Sequence, residues 1–127
     1  MDAIMKGLGN LISPSIAKDR GSVDTDNMGG HAQEASSFLK ALGHEGRLMI
    51  LCHLSSGEKT VTELEHLLSA RQASVSQQLA RLRLEGLVSY RREGKTIYYS
   101  LASGKARQTI ELLYEMFCAP TQDAKQE

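Results

Sequence analysis

Apolar residues recur every three or four positions along much of the chain, which is the spacing of amphipathic helices. This pattern predicts a first helix from residue 31 to the stop at Gly43, and a second from 44 or 45 to about 54. The second helix has little polar surface, so we expect it to be central and buried. A last helix is predicted from about 104 to 117, before Pro120.

Two shorter helices are predicted in the middle of the chain. Thr62 and Glu65 have the spacing of a capping box, which predicts a helix start. A break at 69–72 precedes a second short helix that begins at 73 or 74, and Gly86 suits the position just after its end. Two short helices separated by a few residues are the outline of a helix-turn-helix.

The next segment has the pattern of a β-hairpin. Two β-prone runs, 87–90 and 96–101, flank the charged and glycine-bearing residues 91–95, which predicts a wing with its cations at the turn. Tyr98 and Tyr99 are adjacent on the returning strand, so one is expected to face inward and the other outward. Packing is the first interpretation for both tyrosines.

Residues 1–30 lack a sustained apolar period and hold five of the eleven glycines and one of the two prolines. This composition predicts a flexible N-terminal extension, with a short helical turn around 4–12. Residues 31–127 are then one folded domain.

The composition is that of one folded domain. The chain has 127 residues, of which 41% are hydrophobic and 24% charged. Its apolar runs fall far short of the roughly 20 residues that cross a bilayer, and no secretory signal is visible. We therefore expect a cytoplasmic protein with no membrane partner.

Positive charge is concentrated in one segment although the whole chain is neutral. Between Arg71 and Lys95 there are six cations and two anions, a net charge of +4. Such a cluster is typical of a nucleic-acid footprint, and a solvated basic face is the alternative.

The second helix of a helix-turn-helix enters the major groove with its early residues near the base edges. Short hydroxyl and amide side chains occupy those positions here, and the arginines farther along are placed for phosphate. A helix whose polar side is merely hydrated is again the alternative. The candidate DNA contacts are Ser74, Ser76, Gln77, Gln78, Arg81, Arg91, Arg92 and Lys95.

Three motifs in order resemble the ArsR/SmtB family of winged-helix repressors. SVSQQLARLRLEGLV at 74–88 resembles the recognition helix and wing entry, LGHEGRLMIL at 42–51 the L-x-x-x-x-R-x-x-I-L helix, and GKTIYYSL at 94–101 the wing. The resemblance covers about residues 31–118. It implies a mainly α winged helix-turn-helix with a two-stranded β-wing, which acts as a DNA-binding regulator and not as an enzyme.

The same resemblance implies a homodimer bound to an imperfect palindrome in double-stranded DNA and released by a chemical inducer. Residues 31–127 are then its DNA-binding and dimerisation domain. The first and last helices form the dimer interface in that family. The corresponding apolar residues of this chain are Ala35, Phe38, Leu39 and Leu42 on the first helix and Ile110, Leu113 and Phe117 on the last.

Many members of the family sense metals, but the metal-binding residues are not matched in this chain. Val61, Thr62 and Glu63 stand where a Cys-x-Cys would lie, and 104–117 contains neither His nor Asp. The four histidines, His31, His44, His53 and His66, are scattered without ligand spacing. We therefore predict no metal site and no cofactor.

Cys52 and Cys118 are the only cysteines, and small buried hydrophobes are one interpretation of them. The pair resembles that of the persulfide- and polysulfide-responsive branch of the family, the BigR/SqrR-like repressors. This resemblance implies that reactive sulfur species bridge the two thiols, release the DNA and so control genes of sulfide metabolism. A helix C-terminus disfavours a thiolate at Cys118, which favours Cys52 as the attacking thiol, although the sequence leaves the order open.

Three alternatives remain at this point. The same fold can respond to peroxide, a quinone or a metal. A small thiol peroxidase would use Cys52 as its nucleophile, but neither cysteine lies in an activating loop and no His/Asp arrangement orients a base. The third alternative is an architectural DNA-binding protein with structural cysteines.

Overall fold

The computed structural model describes residues 22–118, and over that range the chain forms six α-helices and three short β-strands. The chain divides into two compact units between Ser37 and Phe38. In chain order the elements are α1 (Thr25–Gly29), α2 (Ala32–Leu42), α3 (Glu45–Leu54), β1 (Lys59–Thr60), α4 (Val61–Leu68), α5 (Gln72–Leu84), β2 (Val88–Glu93), β3 (Thr96–Leu101) and α6 (Gly104–Phe117).

In the first unit, α1 is a short helix that the sequence did not predict. Asp24 caps it, because its carboxylate accepts a hydrogen bond of 3.1 Å from the backbone N–H of Asn27. The predicted turn around 4–12 lies outside the described residues. The division of the chain into an extension of 30 residues and a domain stays a prediction.

In the second unit, α3 is the central element and packs against α4, α5, β3 and α6. Its Ile50, Leu51 and Leu54 are almost completely buried, which confirms the prediction of a buried central helix. Burying each of these side chains stabilises the fold by about 1.5–3 kcal/mol before the entropic cost of ordering it. The core is completed by Ala41, Leu42, Leu64, Val75, Leu79, Leu82, Leu87, Val88, Ala106 and Ile110.

The start of α4 differs from the prediction. Thr60 is the cap: its hydroxyl accepts from the backbone N–H of Glu63 at 3.1 Å, and the Glu63 carboxylate accepts from the Thr60 N–H at 2.8 Å. The predicted pair, Thr62 and Glu65, has the same spacing two residues later and is wrong. Thr60 belongs to β1, so its backbone already has the extended conformation that a capping residue requires.

The ends of α5 follow its local chemistry. The helix begins at Gln72, one or two residues before the predicted start, and its cap residue Arg71 makes no side-chain hydrogen bond there. At the other end, Gly86 adopts a left-handed conformation with φ of 76°. The N–H of Leu87 bonds to the carbonyl of Leu82 at 2.9 Å, as in a Schellman motif. The prediction for Gly86 is confirmed.

The wing contains longer strands and a shorter turn than predicted. β2 and β3 pair antiparallel from Val88 opposite Leu101 to Glu93 opposite Thr96, which leaves only Gly94 and Lys95 for the turn. The prediction that the arginines at 91 and 92 lie in the turn is therefore wrong, since both are on β2.

The sheet also has a third strand, because β1 pairs with β3 to give the order β1-β3-β2. The fold is mainly α, as predicted, with three antiparallel strands in place of two. A strand of two residues is too short to have a recognisable hydrophobic period. None of the helices in residues 22–118 combines the length and the hydropathy that a membrane span needs.

Candidate nucleic-acid interface and thiol pair

The second helix of the helix-turn-helix, α5, is anchored by one apolar face. Val75, Leu79 and Leu82 are at most 1% exposed, and they hold the helix on α3 and α4. Three of the predicted DNA contacts, Ser74, Ser76 and Gln77, are exposed on the same helix. The structure therefore brings hydroxyl and amide groups to the surface at the start of α5.

Gln78 is placed differently from its neighbour, because it is half-buried on the flank of α5. Its Oε1 accepts a hydrogen bond of 3.1 Å from Nη1 of Arg47. The same guanidinium donates to the carbonyl of Ala41 at 2.7 Å and to that of Lys40 at 3.2 Å. In the sequence Arg47 belongs to a helix motif, and spacing alone does not show that it contacts α5.

A groove of about 580 Å³ runs beside this flank of α5. Its walls include Ser74 and Gln78 from α5 and residues 43–46 from the start of α3. Gln78 therefore borders this groove in addition to its contact with Arg47.

The arginines farther along α5 have protein partners. Nε of Arg81 lies 3.4 Å from a carboxylate oxygen of Glu85, and the side chain of Arg81 is 42% exposed. The guanidinium of Arg83 lies over the ring of Tyr90 at 4.4 Å, a favourable cation–π geometry. Arg81 thus keeps enough exposure for a phosphate contact, although it would share its charge with Glu85.

On the wing, Arg91 is committed to contacts within the protein. Glu58 accepts two hydrogen bonds from it, at 2.8 and 2.9 Å, and Glu93 accepts a third at 3.0 Å. Its guanidinium also lies 4.5 Å from the ring centre of Tyr98. The hydrogen bond from Arg91 lowers the pKa of Glu58.

Arg92 and Lys95 are the available cations of the wing. Both are exposed, and neither forms an ion pair within residues 22–118. On β3, Tyr99 packs against the core, as predicted for one of the two tyrosines. Tyr98 is also half-buried and lies under Arg91.

The two thiols lie on helices that pack together, α3 and α6. Cys52 is half-buried, Cys118 is exposed at the end of α6, and both are free. Burial raises the pKa of the Cys52 thiol, and a charge on Cys118 raises it further. A raised pKa makes Cys52 the poorer attacking thiol, which argues against the order of attack that the helix dipole favoured.

The histidines do not form a metal site within residues 22–118, where no cluster of three or more His, Cys, Asp or Glu side chains is found. His44 has a structural role as the cap of α3. Its Nδ1 accepts hydrogen bonds from the backbone N–H groups of Gly46 and Arg47 at 3.1 and 3.4 Å.

The seven predicted dimer residues differ in burial, and three of them, Ala35, Phe38 and Leu113, are half-buried. Leu42 and Ile110 are 5% and 4% exposed and belong to the protomer core, so their assignment to an interface is wrong. Leu39 and Phe117, in contrast, are 60% and 78% exposed. Three further apolar side chains of α6 are also exposed, namely Leu112, Tyr114 and Met116.

Comparison with known proteins agrees with this architecture. The sequence profile described as "Bacterial regulatory protein, arsR family" matches residues 44–90. A biofilm growth-associated repressor of Agrobacterium fabrum is 47% identical over 105 residues, which cover 83% of this chain and 90% of the relative. The chain belongs to the ArsR family.

Solved structures of ArsR relatives have the same fold. The transcriptional repressor BigR from Xylella fastidiosa superposes with a TM-score of 0.73 at 42% identity and covers 76% of this chain and 99% of its own. Reduced HlyU from Vibrio cholerae gives a TM-score of 0.70 at 41% identity, with 73% and 98% covered. These likenesses confirm the ArsR/SmtB assignment, the BigR-like branch and the winged helix-turn-helix fold. The relatives are transcriptional regulators and not enzymes.

Proposed function

We propose that this protein is a homodimeric transcriptional repressor that binds operator DNA. It dissociates from the DNA when reactive sulfur species bridge Cys52 and Cys118. The observation that carries the proposal is the placement of the two free thiols, with Cys52 on α3 and Cys118 at the end of α6, on two helices that pack together. Both helices belong to a fold in which α3 also supports the helix-turn-helix.

DNA binding is supported by the family and by the surface of α5. In two-fold dimers of this type the recognition helices lie roughly 34 Å apart and enter successive major grooves, which matches an imperfect palindrome. The exposed Ser74, Ser76 and Gln77 are suited to base edges, while Arg92 and Lys95 are suited to phosphate.

Repression as the direction of control is supported by relatives that are named repressors, in Agrobacterium and Xylella. A relative from Vibrio cholerae is named a transcriptional activator, HlyU. A repressor that responds to reactive sulfur would control genes of sulfide metabolism.

The bridging reaction is a two-electron oxidation of the thiols, and an organic trisulfide is a sufficient oxidant. The Cys118 thiolate attacks the central sulfur of RS–S–SR, forming an S–S bond and expelling RS⁻. Cys52, once deprotonated, attacks the same sulfur and expels the second RS⁻. Two thiols and one trisulfide give a Cys–S–S–S–Cys bridge and two RSH. Cys118 is placed first because it is the exposed thiol.

Such a bridge would tie the end of α6 to α3. Exposed apolar side chains on α6 are suited to the dimer contact, whereas α3 packs against both helices of the DNA-binding motif. A change in this packing would alter the separation of the two recognition helices. A coupling free energy of about 1–3 kcal/mol is enough to change DNA affinity 5- to 150-fold.

The experiment measures DNA binding and intact mass on the same samples. The duplex is one that the wild-type protein enriches from a random library, and the probe is glutathione trisulfide. Wild type is expected to gain one sulfur atom, lose two hydrogen atoms and release the duplex. Cys52→Ser and Cys118→Ser are expected to bind the duplex and to retain it after treatment, and the double variant controls for effects of the probe outside the thiols.

Hydrogen peroxide in a parallel sample separates sulfur sensing from a general redox switch. Loss of two hydrogen atoms and release of DNA by peroxide as effectively as by trisulfide would favour the general switch. Release from either single-cysteine variant would refute the two-thiol bridge. Failure of both untreated variants to bind would show that the thiols serve only packing.

A further inference from the structure

Arg47 connects the end of α2 with the recognition helix α5. Its three bonded nitrogens donate to two carbonyls of α2, those of Lys40 and Ala41, and to Oε1 of Gln78. The last carbonyls of a helix lack partners inside the helix, so a cation is favoured at this end. The two carbonyls of α2 thus hold the guanidinium in place, and the guanidinium in turn orients the Gln78 amide.

The chemistry of the pair fixes which way the Gln78 amide points. Arginine has only donors, so the amide must present its oxygen to Arg47 and turn its Nε2 away. Within residues 22–118 this nitrogen has no hydrogen-bond partner. Gln78 also lines the open groove, together with Ser74.

We propose that Arg47 is a positioning residue for DNA recognition, which holds Gln78 so that its Nε2 donates to an acceptor on a base edge. A free glutamine side chain would sample several rotamers and both amide orientations. Fixing it in advance removes part of the entropic cost of ordering it on DNA. The inference rests on the proposed binding of DNA through α5.

Arg47 differs from the other cations near α5 in what it contributes. Each of its three guanidinium nitrogens donates one hydrogen bond within the protein, and the side chain is half-buried, so Arg47 is less available to phosphate than an exposed cation. A substitution that keeps the charge but not the fork geometry should therefore change base discrimination without weakening binding to random DNA.

The test compares base-preference profiles of full-length variants. The operator is enriched by wild type from a random library, and every base pair of it is then substituted in turn. Arg47→Lys and Gln78→Met are expected to lose discrimination at the same base position, by about five- to tenfold. The variant that carries both substitutions should lose no more than either one. Gln77→Met is the matched control and should affect a different position.

Random-sequence duplex is measured in parallel, where Arg47→Lys should bind as wild type does. Thermal unfolding shows whether each variant is folded. Gln78→Glu serves as a second probe that leaves Arg47 intact: it keeps the acceptor for Arg47 but lacks the Nε2 donor, so it should also lose discrimination at that position.

The outcomes separate this inference from the proposed function. If wild type enriches no sequence, both are overturned. If an operator is enriched but Arg47→Lys keeps the wild-type profile, or flattens all positions equally, Arg47 is not a positioning residue. Retained discrimination by Gln78→Glu would likewise overturn the donor role of Gln78.

Discussion

At the start of α4, the Thr60 hydroxyl and the Glu63 carboxylate each accept a hydrogen bond from the other's backbone N–H. We expect Thr60→Ala to lower the free energy of unfolding by about 1 kcal/mol, because the Glu63 N–H loses its partner. Thr62→Ala is the matched control: Thr62 is exposed within the first turn, and its loss should change stability by less than about 0.5 kcal/mol. Urea denaturation measures both, and equal effects would contradict the capping role of Thr60.

The reactivity of Cys52 depends on its burial and on its neighbour. Both effects raise its pKa, so its alkylation by iodoacetamide should require a higher pH than that of an ordinary thiol. In Cys118→Ser the charge on Cys118 is absent and only the burial of Cys52 remains. The pH midpoint for alkylation of Cys52 should therefore fall but stay above that of an ordinary thiol. Alkylation rates followed by peptide mass spectrometry give this midpoint. An identical midpoint in wild type and Cys118→Ser would mean that the thiols do not interact.

Among the elements, long helices with an apolar period were predictable, and short or tertiary features were not. The bounds of α3 and α6 follow from periodicity together with their flanking residues. Gly86 ends α5 because that position requires a left-handed backbone conformation, which glycine adopts readily. The strand β1 has two residues and is defined by its pairing with β3, which no local pattern encodes.

The candidate site shows the same limit. Residue type and helix position predicted the exposed Ser74, Ser76 and Gln77. They did not show that Gln78 is bound by Arg47, which lies 31 residues earlier in the chain. Nor did they show that Arg91 is paired with Glu58, 33 residues away. Long-range partners of this kind decide which of several similar side chains is available for a ligand.

The wing allows a test of which cations are available to bind phosphate. Arg92→Ala and Lys95→Ala should each reduce the slope of log affinity against log salt concentration by about 0.9, the value for one phosphate contact. Arg91→Ala should reduce it by clearly less, because the guanidinium already binds Glu58 and Glu93. Binding to random-sequence duplex at several salt concentrations measures the slopes. A full decrease for Arg91→Ala would show that DNA displaces its carboxylate partners.

For the whole molecule, dimerisation is the property on which recognition of a palindrome depends. Phe117 is 78% exposed on α6. A charged side chain at this position would be solvated in an isolated protomer, and it would be unfavourable only where a second copy buries it. Leu84, at the end of α5, is 83% exposed and offers a control of similar exposure on a different helix.

We expect Phe117→Asp to give a folded monomer and Leu84→Asp to remain a dimer. Sedimentation at equilibrium measures the masses, and circular dichroism checks that helix content is kept. The monomer should also lose preference for the palindrome over a single half-site, because only two recognition helices held one helical turn apart can use both halves. A dimer of Phe117→Asp would place the interface on another surface. It would also remove the route by which a bridge at Cys118, the next residue, is proposed to reach the DNA.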